Sequence, residues 1–440
     1  MHMAGPMGMS VIVPVAVPVI MMIVGMLIHT VYSTAMSTSP VAGTNPAAAS
    51  AALDTTRWAY VWLLLACGIG ASMQVGKVPP ALGFVQRDLH LGLVVGAWVI
   101  SMFSVVGATL GCLAGSIVDR MGPHRAATGG LFCIAAASLA GSFAVLPWEL
   151  LVSRAVEGMA FVMAVVAIPS LLVASASEND RRFVPALWGI YMPTGMAVSL
   201  ASAQPILHAY GWRVLWQVDA AVLVVLGLGL LVAPAPTLVT RGRALPSLKV
   251  LLRSVWHPGP VLLGLIFAFY TVQYMSVMGF LPTILQAQGI SAQAAGLLSA
   301  LAVMANAAGN LSVGALIKRG ALPRQLMAGA CLVMIIAAAG IYLPALPAAV
   351  RYLLVVTLSG VGGLIPASIF ALVPRVAQDR QSTATTMGFV VQCSHVGQLA
   401  GPPAVAAVAA AAGGFQLSAV VLIPAALAGF FAARALRRVS

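Results

Sequence analysis

Apolar runs of about twenty residues recur along this chain from Trp58 to Ala435, broken only by short stretches that carry most of its charge. At about 1.5 Å per residue, roughly twenty residues make a helix long enough to cross the hydrocarbon core of a bilayer. Hydrophobic residues are 61% of the chain and charged residues 7%, where soluble domains carry about a quarter charged. So few charges cannot clothe a water-facing surface. The chain therefore reads as an all-α membrane protein, since a barrel would show short alternating strands instead of long apolar runs.

Twelve spans are expected. In the first half they are Trp58–Phe84, Leu93–Val118, Ala126–Leu146, Glu149–Ala176, Phe183–Tyr210 and Trp212–Ala233. In the second they are Pro260–Leu285, Ala292–Ile317, Gln325–Leu343, Ala348–Val373, Thr383–Ala412 and Phe415–Ala435. Taking alternate loops together collects 17 of the 22 Lys and Arg residues on one side, leaving Lys77, Arg87, Arg154, Arg213 and Arg351 elsewhere. Basic loops stay in the cytoplasm, so both ends of the twelve-span core belong there. An odd number of spans would scramble that alternation.

Residues 234–259, rich in proline and basic side chains, read as a cytoplasmic linker between two six-helix bundles, 57–233 and 260–440. Residues 1–56 read as a disordered or mis-started extension, because Pro14 and Pro18 interrupt its apolar run. An extra span is the other possibility. The net charge of +13 lies in short loops and not in a patch interleaved with aromatics, so no nucleic acid is expected. The five cysteines sit inside apolar runs without metal-ligand spacing, so neither a metal nor a cofactor is expected.

Between the second and third spans lies Gly115-Ser-Ile-Val-Asp119-Arg120-Met-Gly122-Pro-His-Arg125. This G-x-x-x-D-R-x-G-x-x-R pattern resembles the signature loop of the major facilitator superfamily of transporters. The resemblance implies two bundles that rock around a midplane site. It casts Gly115, Asp119, Arg120, Gly122 and Arg125 as a gating loop, with Asp119 bonding the other bundle when that side closes. A mere topology signal would explain the arginines but not the acid. Gly107, Gly111 and Gly115 run at four-residue spacing, and Asn306, Asn310 and Gly314 repeat that spacing in the second half. There Lys318 stands where the first copy has Asp119, so the acid latch is expected in the first half alone.

Charges inside spans cost free energy unless they face protein or a water cavity, and they are therefore functional candidates. Lys77 lies about twenty residues into the first span, while Arg154 and Glu157 sit one turn apart near the start of the fourth. Rise per residue puts all three in one layer. Arg154 followed by Gly158 resembles the superfamily's fourth-helix motif linked to proton coupling. Tyr270, Gln273 and Tyr274 share one face of the seventh span, a cavity-lining helix in that superfamily, and complete the expected substrate and proton pathway. Asp219 reads as the partner of a polar group on a neighbouring helix, with proton carrier as the alternative. Gln392, His395 and Gln398 mark the eleventh span as further polar groups that could meet a solute, and the prolines at Pro193 and at Pro402-Pro403 are expected to bend their helices.

These readings point to a secondary active transporter and not an enzyme, since no P-loop, H-E-x-x-H or paired-acid motif is present. Its partners would be a small solute, protons and membrane lipids, and the chain is expected to act as a monomer in a bacterial inner membrane. Two cations against Glu157 favour an anion as solute, taken up with protons. The run Ala186–Pro193 with Gly211-Trp212-Arg213 is similar to cyanate-permease-like members of the superfamily. Proton-driven drug efflux is the alternative, and a solute-sensing receptor is the rival of another class.

Overall fold

The computed structural model describes residues 55–181, 183–236, 256–377 and 383–436, and every regular element among them is helical. The first half comprises α1 (Trp58–Gly76), α2 (Val78–Asp88), α3 (Leu93–Ser101), α4 (Val105–Met121), α5 (Pro123–Gly141), α6 (Pro147–Ser175), α7 (Phe183–Leu187) and α8 (Tyr191–Val232). The second comprises α9 (Pro258–Ala287), α10 (Ala292–Lys318), α11 (Pro323–Ile341), α12 (Ala348–Gly362), α13 (Leu364–Val376), α14 (Thr383–Ala412) and α15 (Ala419–Ala435). The expected extension lies almost wholly outside the described residues, as does most of the expected linker.

Nine helical stretches among the described residues are long and apolar enough to cross a bilayer. One of them, Trp188–Val232, holds both the fifth and the sixth expected spans. Gly211, with φ 81°, lies between those two spans and breaks the helix there. Only glycine adopts that left-handed backbone without strain, and it lets the chain reverse with no loop. Two further helices fall on the third and eleventh expected spans but are not among the nine. α5 opens on His124 and Arg125, and α14 carries Gln392, Ser394, His395 and Gln398.

The outside of the molecule is apolar. Leu301, Ile336, Leu353 and Phe431 are each more than 60% exposed. The charged residues Lys77, Arg154 and Glu157 are fully buried. This inversion of the soluble pattern suits lipid, where helices satisfy their own backbone and polar side chains turn inward. The protein is a multi-pass membrane protein.

Small residues set how close the helices come. A Cβ on Gly158 of α6 would fall on the Phe103 carbonyl oxygen, and one on Gly76 would lie 2.7 Å from the Met196 carbonyl oxygen of α8. Gly401 of α14 leaves the same room for Val272 of α9, at 2.6 Å. α14 continues as one helix through Pro402 and Pro403, and Gly401 in this stretch serves a close helix contact. In the fifth span the irregular turn falls at Trp188–Ile190, before Pro193, because proline sits without penalty in the first turn of the helix that follows.

Backbone overlap of this kind predicts that Gly158→Ala lowers stability by about 1–3 kcal/mol or more, the cost of overpacking a dense core. Thermal melting of the solubilised protein would reveal it. An unchanged melting temperature would mean that α6 moves freely against the α3–α4 turn.

Candidate functional site

Lys77 sits at the break between α1 and α2. Pro79 and Pro80 follow it, and neither has the backbone N–H that would continue the helical ladder. The break carries the Lys77 side chain into the first half of the molecule. There its ammonium donates to Ser138 Oγ of α5 at 2.8 Å, to Glu157 Oε1 of α6 at 3.1 Å and to Gln74 Oε1. Ser138 Oγ in turn donates a hydrogen bond to the Trp216 carbonyl of α8 at 2.9 Å. The same ammonium lies 4.5 Å from the centroid of the Trp216 ring, a cation–π contact in a dry setting.

Glu157 is shared. Its Oε1 takes Lys77, and its Oε2 pairs with the Arg154 guanidinium three residues back on the same helix. Arg154 Nε also donates to the Val99 carbonyl of α3 at 3.2 Å, and the guanidinium lies 4.7 Å from the Phe103 ring centroid. Ion pairs out of water survive only when the remaining donors and acceptors find partners as well. Here most of them do, from four different helices.

Asp219 of α8 joins this group, one turn beyond Trp216 and 2% exposed. Lys77, Glu157 and Arg154 all act on it electrostatically. Two cations and two carboxyls therefore occupy one sealed region, every member of which precedes residue 220. Sequence reasoning reached Lys77, Arg154 and Glu157 through rise per residue. It left Asp219 apart because nothing in the sequence states which way the sixth span is rotated.

Tyr270, Gln273 and Tyr274 form a second, separate group on α9. The Tyr270 and Tyr274 rings stack at 5.6 Å, and Phe267 continues the stack at 6.2 Å from Tyr270. Asn306 Nδ2 of α10 donates to the Tyr270 hydroxyl and to the Ser359 carbonyl of α12, both at 2.8 Å. Gln273 Nε2 reaches only the Phe269 carbonyl on its own helix, at 3.4 Å, and Gln273 Oε1 is buried without a partner. Among the described residues no hydrogen bond or ion pair joins the two groups. The six residues expected to form one pathway thus lie in two places, three in each half.

The halves meet along two long seams, and α2 also lies against α9. On one, α3 and α4 lie against α14. Ser101 and Ser104 donate to Gln398 at 3.0 Å each, Gln392 Nε2 donates to the Ala108 carbonyl at 2.8 Å, and the Cys112 N–H donates to Gln392 Oε1 at 3.1 Å. His395 faces Gly107, and Gln392 faces Gly111. Gln392, His395 and Gln398, read from sequence as candidate solute contacts, are used here between helices. On the other seam α8 lies against α10, where Gly296 approaches the Leu200 carbonyl.

Both seams stop short of the end that bears Asp119. Gly115, one turn beyond Gly111, has open space where a Cβ would be, and so has Gly314 of α10. Gly122, with φ 84°, is the entire connection between α4 and α5. Asp119, Arg120 and Arg125 are exposed, and no described residue bonds or pairs with Asp119. At the opposite end Asp88 accepts from Trp212 Nε1 at 2.9 Å and pairs with Arg213, which also holds the Ala144 carbonyl. The Arg213 bond, with help from Trp212, keeps the Asp88 carboxyl below the usual carboxylate range.

Comparison with known proteins agrees with this architecture. The model of the Major Facilitator Superfamily matches residues 64–402. A puromycin resistance protein of Streptomyces alboniger is 30% identical over 183 residues, 40% of this chain and 36% of that protein. A D-xylose transporter of Levilactobacillus brevis is 28% identical over 169 residues, 38% of this chain and 37% of that protein. An arabinose-proton symporter of Escherichia coli is 26% identical over 187 residues, 42% of this chain and 39% of that protein. The chain therefore matches less than two fifths of the length of these relatives. Among solved structures, a bacterial homologue of the human lysosomal transporter Spinster, inward-facing and occupied, superposes with a TM-score of 0.70 at 14% identity, over 90% of this chain and 99% of that one. A D-xylose-proton symporter gives 0.67 at 14% identity, over 88% and 98%. At such identity the likeness is one of fold. With the helical architecture, the loop at Asp119 and a family match across most of its length, the chain belongs to the Major Facilitator Superfamily.

Proposed function

We propose that this protein is a secondary active transporter that moves a small solute by alternating access, coupled to protons, with twelve spans in two bundles and the Asp119 end in the cytoplasm of a bacterial inner membrane. One observation carries the reading. Gly107 and Gly111 are filled by side chains of α14, while Gly115 on the same stripe meets open space. Small residues at four-residue spacing serve close helix approach in lipid. A stripe used over only part of its length fits two bundles that part at one end and close there in another state. The buried group of Lys77, Arg154 and Glu157 is the proposed site of proton coupling. The Escherichia coli relative, an arabinose-proton symporter, favours the same coupling.

The proposed solute is a small anion. Lys77 and Arg154 outnumber Glu157, and Asp219 restores the balance only when it is ionised, so a proton on either carboxyl leaves one positive charge in excess. That excess ties anion attraction to protonation. The fifth-span likeness to cyanate-permease-like members points the same way. The puromycin resistance relative supports the second reading, proton-driven efflux of drugs.

Reconstitution into vesicles separates the readings. A labelled small anion is expected to accumulate several-fold faster under an inward proton gradient, and a protonophore should remove the difference. Accumulation that ignores the gradient would end the coupling proposal. Movement of hydrophobic drugs alone would establish efflux, and saturable binding without counterflow would establish a receptor.

A further inference from the structure

Among the turns at the end opposite Asp119, two pairs differ in what they expose. Between α2 and α3 the chain exposes Arg87, Asp88 and His90 and buries Leu89. Between α9 and α10 it exposes Gln286, and Gln288 shares a cleft there with Arg351 of α12. The other pair is inverted. In residues 142–149, between α5 and α6, Phe143, Val145 and Trp148 are 67%, 68% and 60% exposed, and Glu149 is the sole charge. Residues 343–350, between α11 and α12, hold no polar side chain, and Leu343 and Val350 are exposed. These two turns follow the third expected span of each half, and each leads through a Leu-Pro pair, Leu146-Pro147 or Leu346-Pro347, into the next helix.

The polar groups of the inverted turns are taken up internally. The Val145 and Leu146 N–H groups donate to Glu149 Oε2 at 2.8 and 3.0 Å. The Phe143 and Ala144 N–H groups reach the carbonyls of Ala140 and Gly141, and the Ala144 carbonyl accepts from Arg213 at 2.7 Å. In the second turn the Leu343 and Leu346 N–H groups bond to the carbonyls of Gly340 and Leu343, while Pro344 and Pro347 have no N–H to satisfy. Water would serve such groups in an ordinary surface turn. Lipid cannot, and there the backbone must be satisfied from within. On the adjoining helices Leu139, Val152, Ile336 and Leu353 are exposed as well, so the apolar surface of each turn continues the face the spans offer to lipid.

We propose that the turns 142–149 and 343–350 lie within the lipid leaflet at this end, at the boundary between acyl chains and headgroups, one on each half. The turns at Arg87–His90 and Gln286–Gly289 stand in water. Phe143 and Trp148 suit that boundary, where aromatic rings gather. Glu149 is the residue that adapts the first turn to lipid. Its carboxylate closes two N–H groups that the turn would otherwise present to the acyl chains, and it does so at the level of the headgroups. The second turn reaches the same result with prolines. This placement rests on the chain lying in a membrane and not on what it transports.

Spin labels on single cysteines test it, on the full chain in phospholipid vesicles and in a background lacking Cys112, Cys133 and Cys393. Val145→Cys and Leu343→Cys probe the apolar turns, and Arg87→Cys and Gln286→Cys the polar ones. Oxygen concentrates in hydrocarbon, and a water-soluble nickel chelate stays outside it. The ratio of oxygen to nickel collisions is expected to be several-fold higher at the Val145 and Leu343 sites than at the Arg87 and Gln286 sites. Equal ratios at all four sites would put the apolar turns in water and overturn the proposal. Adding Glu149→Ala to the Val145 label should raise nickel collisions several-fold, as the freed N–H groups draw the turn toward water. Glu149→Gln should hold the label near its parent value, because the amide oxygen still accepts. A label that ignores Glu149→Ala would overturn the role given to Glu149. If that variant fails to insert, the four sites in the parent chain still decide where the turns lie.

Discussion

Arg154→Ala is expected to abolish proton-driven transport while the protein remains folded in the membrane. The substitution strips Glu157 Oε2 of its cation, the Val99 carbonyl of its donor and the Phe103 ring of its cation–π partner. Removing one member of a buried pair costs about 3–5 kcal/mol, mostly for the charge left behind. That is less than the roughly 5–15 kcal/mol by which domains are stable, so a lowered melting temperature is expected and not unfolding. Glu157 keeps Lys77 on Oε1 but loses the guanidinium on Oε2, so the buried group proposed as the coupling site is broken up. Arg154→Lys should rescue little. The α6 guanidinium spans from Glu157 to a backbone carbonyl of α3 through separate nitrogens of a rigid fork, and a compact ammonium cannot be in both places. Flux into vesicles under a proton gradient, measured beside the melting temperature, checks both variants. Full flux in Arg154→Ala would leave Arg154 a helix tie and nothing more.

Much of the helical architecture was legible because apolar run length is a one-dimensional signal. The tight turn at Gly122 was equally plain, since an acid, arginines and glycines between two long apolar runs leave no room for a larger loop. Rise along the helix axis placed Lys77, Arg154 and Glu157 at one depth. Rotation about that axis was not legible. It is set by close approaches such as Gly158 on Phe103 and Gly76 on Met196, which depend on partners far away in the chain. Those approaches turn Lys77 toward Ser138 and Trp216. The glycine-proline run of the eleventh span was ambiguous for a related reason. Glycine can serve a bend or a contact, and at Gly401 the nearby Val272 backbone determines that it serves contact. Gln392 and Gln398 read as groups that could meet a solute, and only the neighbouring α3 and α4 show that their side chains bond across helices in this conformation.

The proposed gate yields the second large effect. Asp119→Asn is expected to leave expression and orientation intact and to slow transport tenfold or more, while Lys318→Ala matters less. Orientation depends on Lys and Arg and hardly on acids, so a pure topology signal would not feel the loss of this carboxylate. In the state described here Asp119 is exposed and the neighbouring seam is parted, so the substitution removes nothing from this conformation. Its cost falls on the alternative state, in which α4 closes against the other bundle as it already does at Gly107 and Gly111. An interaction of about 1–3 kcal/mol made in one state only shifts a balanced equilibrium by roughly 5- to 150-fold. Gly115→Leu probes the same closure by sterics. Open space accommodates the leucine now, but a closed seam would have to seat it where Gly111 leaves 2.9 Å to Gln392 Cβ. Both variants should therefore populate the state open at the Asp119 end. Single cysteines placed near Gly115 and near Asp88, in a background lacking Cys112, Cys133 and Cys393, report this as labelling from each side. Labelling should rise at the Gly115 site and fall at the Asp88 site in both variants. If labelling and flux match the parent protein, Asp119 does not latch, and the loop serves only to fix topology.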